Sequence, residues 1–274
     1  MSDTPPIVLV FAATDPSGGG GMPSDILTLA SMGCHALTVV TAITVQDTMG
    51  IEAVMPIEAD WVADQARCVL EDMPVAAFKL GALGSAENVE AIAEIVSDYP
   101  DIPMILDPVL ASGRGDDLAA DDMISAMREM LFPQTTILTP NRVEARRLGA
   151  RESDEGDELA DEVYANRILE LGCEYVLITG THANTPKVIN TLYARSGVLR
   201  SDAWERLSGS YHGSGCTLAA AIAATLANGL AVEDAVRDAQ EYTWQALKEA
   251  FRPGMGQYLP DRMFWAREET ASDG

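Results

Sequence analysis

Positive charge is scarce in this 274-residue chain. Three lysines (Lys79, Lys187 and Lys248) and a Lys+Arg total of 18 face 42 Asp+Glu, for a formal net charge of −24. Nucleic-acid binding relies on cationic side chains displacing counterions from phosphates, so a chain this acidic is a poor candidate for it. Histidine is rare too: His35, His182 and His212 stand far apart with no H-x-x-x-H spacing, which argues against zinc. Four scattered cysteines (34, 68, 173 and 216) form no C-x-x-C pair, so neither a disulfide framework nor a structural metal is expected. Long apolar runs are missing. Residues 7–13 are too few to cross a bilayer, and Met1-Ser-Asp-Thr-Pro-Pro6 before them lacks the basic stretch of a secretion signal. A cytoplasmic protein with no membrane and no nucleic-acid partner is expected.

The chain does have apolar residues enough, 47% of the total, to build a large core. Short Val/Ile/Leu-rich runs at 7–11, 36–41, 76–80, 104–106, 136–138 and 176–179 are bounded by Gly, Pro or Asp and read as buried strands. Amphipathic stretches at 24–32, 60–71, 86–98, 121–131 and 158–171 separate them as helices. That alternation predicts an α/β fold with a mostly parallel sheet covered on both faces. Residues 188–193 and 197–203 read as a hairpin about Arg195-Ser-Gly197, followed by helices over 213–228 and 233–250. With no Pro/Gly/Ser-rich linker, the whole of 1–274 reads as one domain, its ends (1–6 and 266–274) as tails.

Three segments carry chemistry. In Thr14-Asp-Pro-Ser-Gly-Gly-Gly-Gly-Met-Pro-Ser-Asp25 a strand runs into four glycines and then a helix. Glycine lets backbone approach a ligand, and a helix start offers free N–H groups; a plain flexible turn is the alternative. It is neither a Walker loop nor a dinucleotide fingerprint. In Ser210-Tyr-His-Gly-Ser-Gly-Cys-Thr-Leu-Ala-Ala-Ala221, Gly213 and Gly215 bracket Ser214 before a helix of small residues. Such a start suits the γ-phosphate of ATP and places Cys216 on the first turn, where the helix dipole favours a thiolate. In Leu138-Thr-Pro-Asn-Arg-Val-Glu144, Asn141 and Glu144 share a face beside Asp107, which ends its own strand. The pair suits hydrated Mg²⁺ near phosphates or is simply a capping box. Gln46, after an apolar strand, suits the edge of a heterocycle or a loop cap.

Together these segments resemble the bacterial hydroxymethylpyrimidine/phosphomethylpyrimidine kinases of thiamin biosynthesis, within the ribokinase-like superfamily. The resemblance rests on Ala13-Thr-Asp-Pro-Ser-Gly-Gly-Gly-Gly21, Thr41-Ala-Ile-Thr-Val-Gln46, Lys79-Leu-Gly81, Leu106-Asp-Pro-Val109, Thr139-Pro-Asn-Arg-Val-Glu144 and His212-Gly-Ser-Gly-Cys-Thr217, in family order over roughly 7–250. It implies a three-layer α/β/α fold, dependence on ATP and Mg²⁺, and a homodimer. The implied reaction phosphorylates 4-amino-5-hydroxymethyl-2-methylpyrimidine and then its monophosphate. By the same resemblance, Cys216 is the base and the amides of Gly213, Ser214, Gly215 and Cys216 form the anion hole. Gln46, Ala13, Asp25, Val109 and Ala82 bind the pyrimidine. Thr179, Gly180 and Asn141 serve ATP, and Asp107 and Glu144 serve the metal. Three positions depart from the family: Ala13 where Gly is common, Ala82 where Met is common, and Thr179 where many members carry Lys near the nucleotide. The alternatives are a pyridoxal/pyridoxine kinase and a non-catalytic pyrimidine-binding sensor.

Overall fold

The computed structural model describes residues 4–111, 118–151, 154, 159–181 and 185–267. In chain order the strands are β1 (Ile7–Ala12), β2 (His35–Val40), β3 (Ala42–Gln46), β4 (Ile51–Pro56), β5 (Ala77–Leu80), β6 (Met104–Leu106), β7 (Ile137–Leu138), β8 (Tyr175–Ile178), β9 (Lys187–Ala194) and β10 (Gly197–Glu205). The helices are α1 (Gly21–Ser31), α2 (Ala59–Leu70), α3 (Ala86–Ser97), α4 (Asp121–Ala126), α5 (Arg142–Gly149), α6 (Asp161–Glu170), α7 (Ser214–Ala227) and α8 (Val232–Lys248).

β1 explains the layering. All six of its residues are buried. Ile7, Leu9 and Phe11 join the core under α2, α3 and α6. Val8, Val10 and Ala12 join the opposite core under α1, α7 and α8. A strand covered on both faces has no polar side to present, so its sequence is a continuous apolar run. The main sheet runs β10-β9-β8-β7-β6-β5-β1-β2. It is parallel from β2 through β8 and antiparallel only at the β8–β9 and β9–β10 pairs. From β1 the chain goes first to β2 on one side and later to β5 on the other. That reversal opens a crevice beyond the carboxyl end of β1, where open α/β sheets take their ligands.

Two elements differ from the sequence expectation. The helix expected over 121–131 is regular only to Ala126, then widens into a π-helical turn and closes as a 3₁₀ turn containing Pro133. Proline has no N–H to continue the ladder. The second difference is a separate antiparallel sheet, β3–β4, which the sequence showed only as an apolar approach to Gln46. It alternates: Ala42 and Thr44 are buried while Ile43 and Val45 are exposed. Its inward face covers the crevice. In the acidic stretches 116–122 and 152–162, Asp121, Asp122 and Glu162 are exposed and Asp154 and Asp161 half-buried; residues 116–117, 152–153, 155–158 and 268–273 lie outside the described residues. Among the described residues no helix is long and apolar enough to cross a membrane.

Candidate active site

The crevice is a cleft of about 850 Å³ along the carboxyl edge of the sheet. Ala13, Gln46, Ala82, Asp107, Val109, Asn141, Glu144, Thr179 and the Gly213–Cys216 turn all line it. Most of the residues expected at the site therefore converge.

The first wall is where two glycine turns meet. Gly213 caps α7 in the left-handed region at φ 82°, and a Cβ there would stand 1.7 Å from the Gly19 carbonyl oxygen. No other side chain fits that approach. Among the described residues the N–H groups of Ser214, Gly215 and Cys216 have no acceptor. They form the open positive end of a 14-residue helix. Across the seam, Asp15 organises the glycine run. Its carboxylate accepts from Ser17 N (2.9 Å), Ser17 Oγ (2.7 Å) and Gly20 N (2.6 Å). His212 Nε2 lies 2.6 Å from Asp15 Oδ2 and 2.9 Å from Gln46 Nε2. Burial raises the Asp15 carboxyl, but the bonds from His212, Ser17 and Gly20 outweigh it and hold it below the usual range. Asp15 and His212 thus meet Gln46 at the cleft, a juxtaposition the sequence reading missed although both residues lie inside its motifs.

Beneath the turn lies a buried charge cluster. Lys79, with its side chain fully buried in β5, pairs with Asp25 at 2.8 Å. Burial opposes the Lys79 charge, yet Asp25, Cys216 and Asp107 keep its pKa raised. Burial pushes the Asp25 carboxyl up to about 6 despite Lys79. Asp25 is therefore not a substrate ligand as expected: it has no exposed surface and is held under the floor by Lys79. A lone lysine inside an otherwise apolar strand was the signal for this pair.

The expected thiolate at Cys216 also needs correction. Burial, together with the Asp107 and Asp25 charges, pushes its thiol up to about 12, against the pull of Lys79. The ligand-free protein holds a neutral thiol at neutral pH. Burial also raises Asp107, whereas Lys79 and the Cys216 thiol act downward.

At the far end, Asn141 and Glu144 form a complete capping box on α5. Asn141 Oδ1 accepts from Val143 N and Glu144 N, while Glu144 accepts from Asn141 N (2.9 Å) and Leu110 N (3.1 Å). Capping does not remove Glu144 from the cleft. Burial and the Asp107 charge push it up to about 7, against those two backbone bonds. Two buried carboxylates repelling each other fit a divalent cation. Among the described residues no three His, Cys, Asp or Glu side chains converge on one point, so the fit is to a hydrated ion sharing its shell with phosphates. Val109, a β-branched residue held at φ 35° beside Asp107, is strained at the cleft wall.

Thr179 lies opposite Asn141, its N–H donating to Pro140 O (3.0 Å). Gly180 does not serve ATP as expected. It is buried, its N–H is bonded to Asn190 Oδ1 (3.0 Å), and a Cβ would stand 2.2 Å from Ile189 O. Its role is close packing of β8 on β9.

A family model for phosphomethylpyrimidine kinase matches residues 15–261. The chain belongs to the phosphomethylpyrimidine kinase family. It is a phosphotransferase of ribokinase-like fold. The kinase is 37% identical over 255 residues to the hydroxymethylpyrimidine/phosphomethylpyrimidine kinase of Mycobacterium tuberculosis, covering 92% of each chain. Among solved structures it is similar to the pyridoxal kinase of Bacillus subtilis in an ADP complex (TM-score 0.85, 28% identity, 96% of this chain and 99% of that one). It is also similar to phosphomethylpyrimidine kinase from Clostridium difficile (TM-score 0.75, 29% identity, 88% and 99%).

The raised carboxyls give the ligand-free kinase a pH signature. A carboxyl whose folded pKa exceeds its unfolded value binds more protons folded than unfolded, so stability falls as pH rises between the two. For Glu144 that window runs from 4.5 to about 7, and Asp25 acts with the same sign between 3.8 and about 6. Asp15, Asp154 and Asp202 are lowered, and their contributions change only below the ordinary carboxylate range. The urea midpoint is therefore expected to fall between pH 5 and pH 8. Glu144→Gln should flatten that fall, and an equally steep profile in the variant would refute the assignment.

Proposed function

We propose that this kinase transfers the γ-phosphoryl group of ATP to the hydroxymethyl oxygen of 4-amino-5-hydroxymethyl-2-methylpyrimidine, and then phosphorylates the monophosphate. One observation carries the reading. The open α7 N-terminus, Cys216 and Asp107 line the same cleft as Gln46, Ala13, Ala82 and Val109, which we assign to the heterocycle, and as Thr179 and Asn141, which we assign to the nucleotide.

Phosphoryl transfer needs alignment and charge neutralisation more than covalent help. Gln46, fixed by His212, holds the heterocycle so that its hydroxymethyl group faces Cys216. The N–H groups of Ser214, Gly215 and Cys216 receive the γ-phosphoryl oxygens. As the substrate oxygen bonds to phosphorus and the bond to ADP breaks, the hydroxyl proton passes to the Cys216 sulfur and the thiol proton to Asp107. A burial-raised carboxyl is suited to accept it. Asp107, Asn141 and Glu144 would hold hydrated Mg²⁺, which would supply positive charge to the ATP phosphates when bound. With Thr179 in place of lysine, the nucleotide end offers a hydroxyl rather than a charge.

The same reading takes the chain as one cytoplasmic kinase domain acting as a homodimer. The outward face of the β3–β4 sheet supports the dimer: Ile43 pairs with Met55 across the strands and both are exposed, as is Val45. An apolar face of this kind fits a second copy. The higher TM-score to pyridoxal kinase supports a second reading, phosphorylation of pyridoxal, which also carries a hydroxymethyl group on a flat heterocycle. ATP consumption with each heterocycle, followed by mass spectrometry, separates the two. Pyrimidine mono- and diphosphates are expected, and a pyridoxal phosphate product alone would overturn the first reading.

A further inference from the structure

Arg262 lies one residue beyond the segment that the family model matches, in the chain after α8, and is almost fully buried. A buried guanidinium ordinarily faces a carboxylate. Here, among the described residues, no carboxylate lies within ion-pair distance, and every hydrogen bond from its side chain goes to a neutral acceptor. Nη2 donates to Gly19 O (2.5 Å), Nη1 to Gly18 O (3.4 Å) and Nε to Thr217 Oγ1 (3.1 Å). The Thr217 hydroxyl in turn donates to Gly213 O (2.8 Å). The guanidinium therefore grips both sides of the seam at which the glycine run meets the α7 N-terminus. On one side it holds two carbonyls of the glycine run. On the other it holds, through Thr217, the carbonyl of the peptide whose nitrogen is Ser214 N.

That seam tolerates no slack. Gly213 Cα packs against Gly19 O so closely that a Cβ has no room, and a small rotation of the Gly213–Ser214 peptide re-aims the first N–H of the turn. The charge matters as well as the geometry. Burial leaves the Arg262 pKa lowered, and the carboxylates of Asp25 and Asp15 act against it. Lys79 is committed to Asp25, which leaves Arg262 as a second buried cation behind the turn.

We propose that Arg262 is a positioning residue for phosphoryl transfer: its fork, acting through Thr217, sets the orientation of the Gly213–Ser214 peptide and locks the glycine run against it. The proposal rests on the reading of the 213–216 turn as the phosphate-binding centre. Lysine keeps the charge but not the planar fork, so Arg262→Lys should lose part of the activity and Arg262→Gln more.

The experiment measures kcat and KM for ATP and the pyrimidine in Arg262→Lys, Arg262→Gln, Thr217→Val, the Gln/Val double variant and Cys216→Ala. Circular dichroism and Tm confirm folding, and Arg262→Lys and Thr217→Val stand in if the Gln variant is unfolded. Expected are at least a tenfold loss of kcat in Arg262→Gln with each KM within about threefold, an intermediate kcat in Arg262→Lys, and a smaller loss in Thr217→Val. The double variant should be no slower than Arg262→Gln, because the two act along one route. Wild-type kcat in folded Arg262→Gln, or losses that multiply in the double variant, overturns the proposal. So does a kcat in Arg262→Lys as low as in Arg262→Gln. Wild-type kcat in Cys216→Ala alone refutes only the cysteine's part, since that change keeps every N–H group of the turn; wild-type kcat in both Arg262→Gln and Cys216→Ala overturns the underlying reading of the turn, and the proposal with it.

Discussion

Cys216→Ala is expected to lower kcat at least ~100-fold, the scale of losing a positioned proton acceptor, while KM for both substrates changes little. The thiol is half-buried at the third position of α7, beside the unpaired N–H groups rather than among the heterocycle-binding side chains, so its loss acts on the reaction more than on binding. The resting thiol is neutral, held up near 12 by burial and by the carboxylates around it. Removing it therefore takes away a relay atom rather than a pre-formed anion. Asp107→Asn probes the same route from the other end: it leaves the thiol in place but removes the acceptor for its proton. Steady-state kinetics on both variants check the assignment. A loss in Asp107→Asn with none in Cys216→Ala would make Asp107 the direct base and refute the cysteine's part.

The sequence was most legible where one residue type has one physical use. Continuous Val/Ile/Leu runs such as β1 announced a sheet buried on both sides, whereas the glycines, read as room for a ligand, prove at Gly213 and Gly19 O to be where two backbones approach each other. It was least legible where function depends on which distant residues meet. Asp15 and Gln46 meet at His212, 197 and 166 residues away along the chain, and no local periodicity encodes that. The resemblance implied Asp25 as a pyrimidine ligand, yet it is buried against Lys79. The same resemblance implied Gly180 as an ATP residue, yet the missing side chain there accommodates Ile189. Charge is rearranged by folding too: Asp15, Asp25, Asp107 and Glu144, scattered over the sequence, come together at the site, all buried. The site's electrostatics are set by this inner group and by two buried cations. The surface excess of negative charge is a separate property.

Lys79→Met is expected to be the most destabilising single change in this inner group, by about 3–5 kcal/mol, because it leaves a carboxyl buried without its partner. For a chain of this size that corresponds to a Tm lower by roughly 10 °C. The reasoning is specific to the geometry. Asp25 Oδ2 is bonded to Lys79 Nζ at 2.8 Å, and Oδ1 has no hydrogen-bond partner, so among the described residues Lys79 is the one cation bonded to the carboxylate, and Arg262 acts on it only through space. Without the ammonium, Asp25 takes up a proton and remains an unpaired polar group in an apolar setting. Asp25→Asn combined with Lys79→Met removes both charges, and the double variant should regain most of the lost stability. It should not regain activity, since Lys79 is also the chief positive charge acting on Cys216 and Asp107. Thermal unfolding and turnover measured on the two variants test both halves. A double variant no more stable than Lys79→Met would show that the lysine contributes through packing alone, and a double variant with wild-type turnover would show that its charge is irrelevant to the reaction.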